Sequence, residues 1–192
     1  RYSFHQTRQM KLSVPDRILP GGLLYTTDLL CMPDVVVRLG EIIMKRMRHL
    51  EPDCIMTVET RGIPLALFVA RAFNVPLVMA RHSSQITEGS AVNINYVSGS
   101  SKMIQTMAMP KRALQPGSRV LIVDDFMKGG GTARGMVNLA KEVGAEVVGK
   151  AFMIVTAEPE NKMVDDYTAL FMLHSVNELE NKIFIEPVQV KE

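Results

Sequence analysis

Val120-Leu121-Ile122-Val123-Asp124-Asp125-Phe126-Met127-Lys128-Gly129-Gly130-Gly131-Thr132 is the stretch from which the rest of the chain can be read. Four apolar residues bounded by turn formers suit a strand at the centre of a parallel sheet, where both faces are covered. Gly129, Gly130 and Gly131 let the backbone turn sharply and approach a ligand closely, because no Cβ intervenes. Thr132 is predicted to cap a following helix, whose free N–H groups and positive dipole end attract an anion such as phosphate. Asp124 and Asp125, just before that cradle, are placed to hold ribose hydroxyls and, at one remove, Mg²⁺. The plainer alternative is a strand-to-helix turn with two solvated aspartates. It carries less weight because the acid pair and the glycine run occur together. Spacing removes the commoner nucleotide loops. A Walker loop ends in Gly-Lys-Ser/Thr, whereas Lys128 precedes the glycines. The dinucleotide fingerprint has its acid about twenty residues after the glycines, not immediately before them.

At 192 residues the chain has the length of one domain with a substantial core. It is 47% hydrophobic and 22% charged, ordinary values for a globular protein, and its net charge of +2 carries no nucleic-acid signature. Cys31 and Cys54 are too far apart for a chelating pair and stand in apolar surroundings, so both are expected as buried free thiols in a reducing compartment. No apolar run approaches the roughly 18 residues of a membrane helix, and no secretory signal is recognisable, which predicts a cytoplasmic protein without membrane contact. The first residue is Arg1 rather than Met, as expected of a piece of a longer chain.

Outward from the central stretch, elements alternate. Residues 1–14 are polar and aperiodic, a tail or linker, and 15–22 is rich in turn formers. Pro33 and Asp34 mark a helix start, and Val36, Leu39, Ile43, Met47 and Leu50 recur at helical spacing, predicting an amphipathic helix over 33–50. A strand over 53–58 leads into Glu59-Thr60-Arg61-Gly62 and an apolar helix over 64–73, and a third strand covers 76–81. The long polar connection 83–109 contains Val92, Ile94 and Tyr96 alternating with Asn93 and Asn95, a half-buried strand, then a turn at 98–101 and a return strand at 103–109. After the glycine run, Met136, Leu139 and Val143 give a helical stripe ending at Gly144. A strand over 146–155, a short helical turn over 162–167, and strands over 169–173 and 182–186 complete the chain. Such alternation implies βαβ units: an α/β fold with a mostly parallel twisted sheet, flanking helices and a β-hairpin flap. In such sheets the ligand sits outside the carboxyl ends of the strands, where the turns at 59–62 and 128–132 both lie.

The central stretch resembles the phosphoribosyl pyrophosphate (PRPP) motif of type I phosphoribosyltransferases: four apolar residues, two acids, two further apolar positions and a Gly-Gly-Thr ending. The resemblance implies that Asp124 and Asp125 hold the ribose 2′ and 3′ hydroxyls. It gives the 5′-phosphate to the backbone from Lys128 through Gly129, Gly130 and Gly131 to Thr132. It also implies a pyrophosphate site at Thr60, Arg61 and Gly62, with Arg81 nearby and Mg²⁺ arriving on PRPP rather than on protein ligands. Arg61 could instead face a neighbouring subunit. His82 stands where such enzymes usually carry Lys, and a loop histidine without a role is an equal alternative there. Arg17-Ile18-Leu19-Pro20-Gly21-Gly22, Thr87-Glu88-Gly89-Ser90, Ile94-Asn95-Tyr96-Val97-Ser98-Gly99-Ser100-Ser101 and the acid–glycine run are similar to the purine operon repressors of Gram-positive bacteria. That family joins a winged-helix DNA-binding domain to a phosphoribosyltransferase-like effector domain. The resemblance therefore implies a PRPP-sensing domain over 15–192 that does not catalyse, a homodimer, and operator DNA as a partner through a winged helix not contained in these residues. Leu23 departs from the Tyr expected there, and Lys128 from the small residue usual in the enzymes. The alternative is an active purine phosphoribosyltransferase of the xanthine type.

Overall fold

The computed structural model describes residues 18–19, 23–24, 26–82, 89–98, 103–177 and 182–189. The tail at 1–14, the 87–88 pair, most of the flap turn at 98–101 and the side chain of Leu23 lie outside the described residues.

The framework is a six-stranded sheet. Its strands are β3 (Cys54–Val58), β4 (Leu77–Ala80), β7 (Arg119–Met127), β8 (Glu146–Thr156), β9 (Thr168–Asn177) and β10 (Lys182–Pro187), in the spatial order β10-β9-β8-β7-β3-β4. All neighbours pair in parallel except β10, which closes the edge antiparallel to β9. A short pair, β1 (Ile18–Leu19) with β2 (Leu23–Leu24), brings the chain in. The flap is the antiparallel hairpin of β5 (Ala91–Val97) and β6 (Ile104–Pro110), tied to the sheet by a bridge between Arg81 and Ala108.

Both faces of the sheet are covered, which is why β3 apart from Thr57, and Val120 to Val123 of β7, read as apolar runs. Met56, Val58, Val120, Ile122 and Phe152 join one cluster with Met136 and Leu139 of α4 (Gly131–Glu142) and Tyr96 and Met107 of the flap. Ile55, Leu121, Val123 and Met153 join the other, with Val36, Leu39 and Ile43 of α2 (Pro33–Met47) and Leu65 and Val69 of α3 (Ile63–Phe73). The predicted helix over 33–50 is α2 plus a 3₁₀ turn, Arg48–Leu50, that ends at Glu51 in the left-handed region (φ 45°). α4 closes as expected at Gly144 (φ 78°), where the Gly144 N–H reaches the Lys141 carbonyl and the Ala145 N–H the Ala140 carbonyl.

Three expectations need correction. The central strand does not stop before the acids: β7 continues to Met127, so Asp124 and Asp125 are strand residues with buried side chains. No helical turn forms over 162–167. That segment is a run of bends in which Asp166 is left-handed (φ 49°), and the Met163 N–H is spent on the Gly129 carbonyl rather than on a turn of its own. Cys31 is exposed, since it follows the last residue of the four-residue helix α1 (Thr27–Leu30), while Cys54 is buried as expected.

Candidate functional site

β3 and β7 are neighbours, yet their chains depart in opposite directions. β3 continues through α3 to β4 on one side, and β7 through α4 to β8 on the other. The strand order therefore reverses between them, and the carboxyl ends of this pair frame a crevice. Here lies a cleft of about 760 Å³, a volume suited to a nucleotide-sized ligand. It is lined by the turn after β3, the acids and glycine run after β7, and residues of the flap.

Asp125 is 4% exposed. Its Oδ2 accepts a 2.7 Å hydrogen bond from the Thr26 hydroxyl and lies 3.6 Å from Nε of Arg61, whose side chain is 46% exposed. Asp124 is 7% exposed, and its Oδ1 accepts the Asp125 N–H at 2.9 Å. Burial, followed by the adjacent Asp125 charge, pushes its carboxyl well above the usual range. The Asp125 N–H and the Arg61 guanidinium oppose that shift without cancelling it. Gly62, with helical backbone angles, is required by space: a Cβ there would overlap the side-chain oxygens of Asp124 and Thr57. Thr57 is fully buried, and its hydroxyl has no hydrogen-bond partner among the described residues. The Glu59–Thr60 peptide at this turn is cis.

The glycine-run side of the cleft is built from backbone. Gly130 (φ 84°) is the cap of α4, and Gly131 is its first residue. Thr132 is therefore not the cap but the second helical residue, and among the described residues no side-chain cap hydrogen bond is made at Gly130. A left-handed Gly130 swings the chain directly into the first turn, and the amides there have no intrahelical acceptor. The loop is held from behind: the Met163 N–H donates to the Gly129 carbonyl (2.9 Å) and Lys162 Nζ to the Thr156 carbonyl (2.8 Å), while the Thr156 hydroxyl, which donates to the Glu158 carbonyl (2.6 Å), lies 3.4 Å from the Lys128 carbonyl. Desolvation lowers the Lys162 pKa. Lys128 lines the cleft.

Of the residues singled out from sequence, Thr60, Arg61, Asp124, Asp125, Lys128, Gly129, Gly130, Gly131 and Thr132 line this one cleft. Gly62 stands behind Asp124 as a spacer. Arg81 is not among the lining residues; its backbone is engaged with Ala108 of the flap and its side chain is exposed. His82 does line the cleft, with its N–H on Glu59 Oε1 (3.1 Å) and its Nδ1 2.7 Å from the Tyr96 hydroxyl. Tyr96, Gln105, Thr26, Thr156 and Lys162 were not foreseen. Tyr96 donates to Gln105 Oε1 at 2.8 Å, and its phenol pKa is raised by burial, against a hydrogen bond to Thr132. The inward alternation of the flap strand was the available signal for Tyr96. Among the described residues no cluster of three or more His, Cys, Asp or Glu could hold a metal ion, and no helix is long and apolar enough to cross a membrane.

A mostly parallel sheet with a glycine-rich turn after one strand and an acid pair beside it is the arrangement of a phosphoribosyltransferase-type domain. The chain belongs to the phosphoribosyl transferase domain family, whose model matches residues 26–192. Within it the chain is similar to regulators. It is 46% identical over 95% of its length to a purine biosynthesis transcriptional repressor of Bacillus subtilis, and 39% identical over 84% to a purine biosynthesis transcriptional activator of Lactococcus lactis. It spans 64% and 60% of those proteins. It is also 30% identical over 93% of its length to a xanthine phosphoribosyltransferase of Lactococcus lactis, of which it spans 96%. In fold it matches an adenine phosphoribosyltransferase of Rhodothermus marinus with a TM-score of 0.68, at 26% identity, over 81% of this chain and 90% of that one.

Proposed function

We propose that this chain is the effector-sensing domain of a transcriptional regulator of purine biosynthesis genes. It binds PRPP as the signal that weakens operator DNA binding and does not itself catalyse. The observation that carries the ligand is the convergence of the 59–62 turn, the buried acid pair and the glycine run on one cleft. PRPP has three parts to match it. The 5′-phosphate suits the loop amides and Lys128, the ribose diol suits Asp124 and Asp125, and the pyrophosphate suits Thr60 and Arg61. A Mg²⁺ would come with the pyrophosphate, because two nearly buried carboxylates are too few oxygens to hold it alone. Regulation rather than turnover is supported by the 46% identity to a repressor, against 30% to a transferase. In this reading 1–14 is a linker to a winged-helix domain that contacts the operator, and the protein works in the cytoplasm as a homodimer. Met32 and Val37, exposed apolar residues at the start of α2, are one candidate contact.

Calorimetric titration with PRPP and Mg²⁺ tests the ligand, and pyrophosphate release with adenine, guanine, hypoxanthine and xanthine tests for catalysis. Binding without turnover is expected. A second reading, a xanthine-type transferase, is favoured by the 96% span of the Lactococcus lactis enzyme, and sustained turnover with any of these bases would put it first. A gel shift of a protein extended by its native N-terminal segment, with and without PRPP, reads the sign of the response.

A further inference from the structure

We propose that Thr26 couples occupancy of the cleft to the segment by which the chain enters the domain, an inference that rests on the PRPP-sensor reading above. Thr26 is 1% exposed and 99 residues away in sequence from Asp125, to which it donates. It belongs to the entry segment on both sides. Its carbonyl accepts the Leu30 N–H at 3.1 Å and so starts α1, whose Leu29 and Leu30 are buried, and β2 ends two residues before it. Asp125 is thus shared: one oxygen faces both Thr26, an entry residue, and Arg61, a cleft residue.

A ligand changes that arrangement from the cleft side. A diol bound by Asp125 donates to the carboxylate that Thr26 already uses, and an anion near Arg61 draws the guanidinium away from it. The Thr26 bond then strengthens or weakens with occupancy. Because both partners are buried, water does not take the place of whatever is lost. Coupling of this kind is reciprocal, so the position of the entry segment must alter ligand affinity by the same factor. Thr26 touches no ligand in this scheme; it is a positioning residue acting through Asp125.

Hydrogen exchange of peptides covering 18–30, with and without saturating PRPP and Mg²⁺, reads the coupling directly, and calorimetry on the same samples establishes binding. In the wild-type chain the ligand is expected to change exchange in this segment by about tenfold. Thr26→Val keeps the shape and removes the donor; it should bind PRPP within about tenfold of wild type but lose the ligand-dependent change. Thr26→Ser should retain it, which a merely structural role for the side chain would not require. Thr26→Ala replaces the valine variant if that one does not fold, as judged by melting without ligand. Wild-type exchange that ignores bound PRPP overturns the coupling, and so does a full response in the variant without the hydroxyl. Absence of any binding heat in the wild type is a different result: it overturns the PRPP reading itself, and the coupling with it.

Discussion

Asp124→Asn is expected to make the unliganded protein more stable while weakening its grip on the ligand. Asp124 is 7% exposed, and its carboxyl is pushed well above the ordinary range by burial and then by the charge of Asp125. The folded protein therefore holds a proton that the unfolded chain releases. The stability from this group is complete below the unfolded carboxylate pKa, near 3.9, and is lost as pH rises through the raised folded value. At neutral pH and above, the Asp124 charge is a cost that the Arg61 guanidinium, 3.6 Å from Asp125, offsets only in part. Asparagine preserves the shape and the acceptor for the Asp125 N–H, and it removes one of two adjacent charges. The expected gain at pH 8 is about 1–3 kcal/mol, the scale for relieving an imperfectly compensated buried group. For a chain of this size that raises Tm by roughly 2–4 °C per kcal/mol. PRPP affinity should fall by about ten- to a hundredfold, because a charge-assisted bond of roughly 1.5–3 kcal/mol is lost. Urea denaturation of both proteins at pH 5 and pH 8 checks the sign, since their difference should widen as pH rises. A variant no more stable than wild type at pH 8 would refute the account of Asp124 as a burdened carboxylate.

Gly62→Ala has backbone angles open to alanine, so its cost isolates the overlap with Asp124 and Thr57. A loss of about 1–3 kcal/mol, measured by denaturation, is expected together with weaker PRPP binding, and wild-type values for both would contradict the spacing argument. Lys162→Met removes the donor to the Thr156 carbonyl behind the glycine loop and should lower PRPP affinity several-fold by calorimetry without abolishing folding. Sedimentation at micromolar concentration should show a dimer, and Met32→Glu should shift the profile towards monomer; a wild-type profile containing only monomer counts against the homodimer.

The parts of this fold that were legible in the sequence are those where local pattern and tertiary burial agree. β3 and the apolar start of β7 are runs because both faces are covered, and α2 shows its stripe because one face is. Gly144 could be read as a helix end because a left-handed position after an apolar stripe has few other occupants. The misreadings have the opposite character. Thr132 has the chemistry of a cap, but Gly130 reaches the left-handed angle two residues earlier and takes the position. Residues 162–167 have no strong local preference, and the Gly129 carbonyl decides their path from outside the segment. Arg81 directly follows β4, yet its backbone pairs with Ala108 of the flap and it is exposed rather than among the residues lining the cleft. The Thr26–Asp125 bond joins positions 99 residues apart and leaves no periodic trace in the sequence.

In the proposed PRPP reading, the two halves of the cleft recognise the ligand by different physics. On the phosphate side the donors are backbone amides fixed by Gly130 and the first turn of α4, groups that do not titrate and that cost little to hold in place. On the ribose side the acceptors are two adjacent buried carboxylates, and the charge of Asp124 is unfavourable until something compensates it. A ligand bearing only a phosphate can use the first half and leaves the second as it was. Only a ligand with both a phosphate and a donor-rich sugar relieves the acids, and only relief of the acids reaches Arg61 and Thr26. On that reading the glycine run supplies affinity for phosphorylated compounds in general, while the response of the protein depends on Asp124 and Asp125. Inorganic phosphate should accordingly compete with PRPP for the cleft without reproducing its effect on the entry segment.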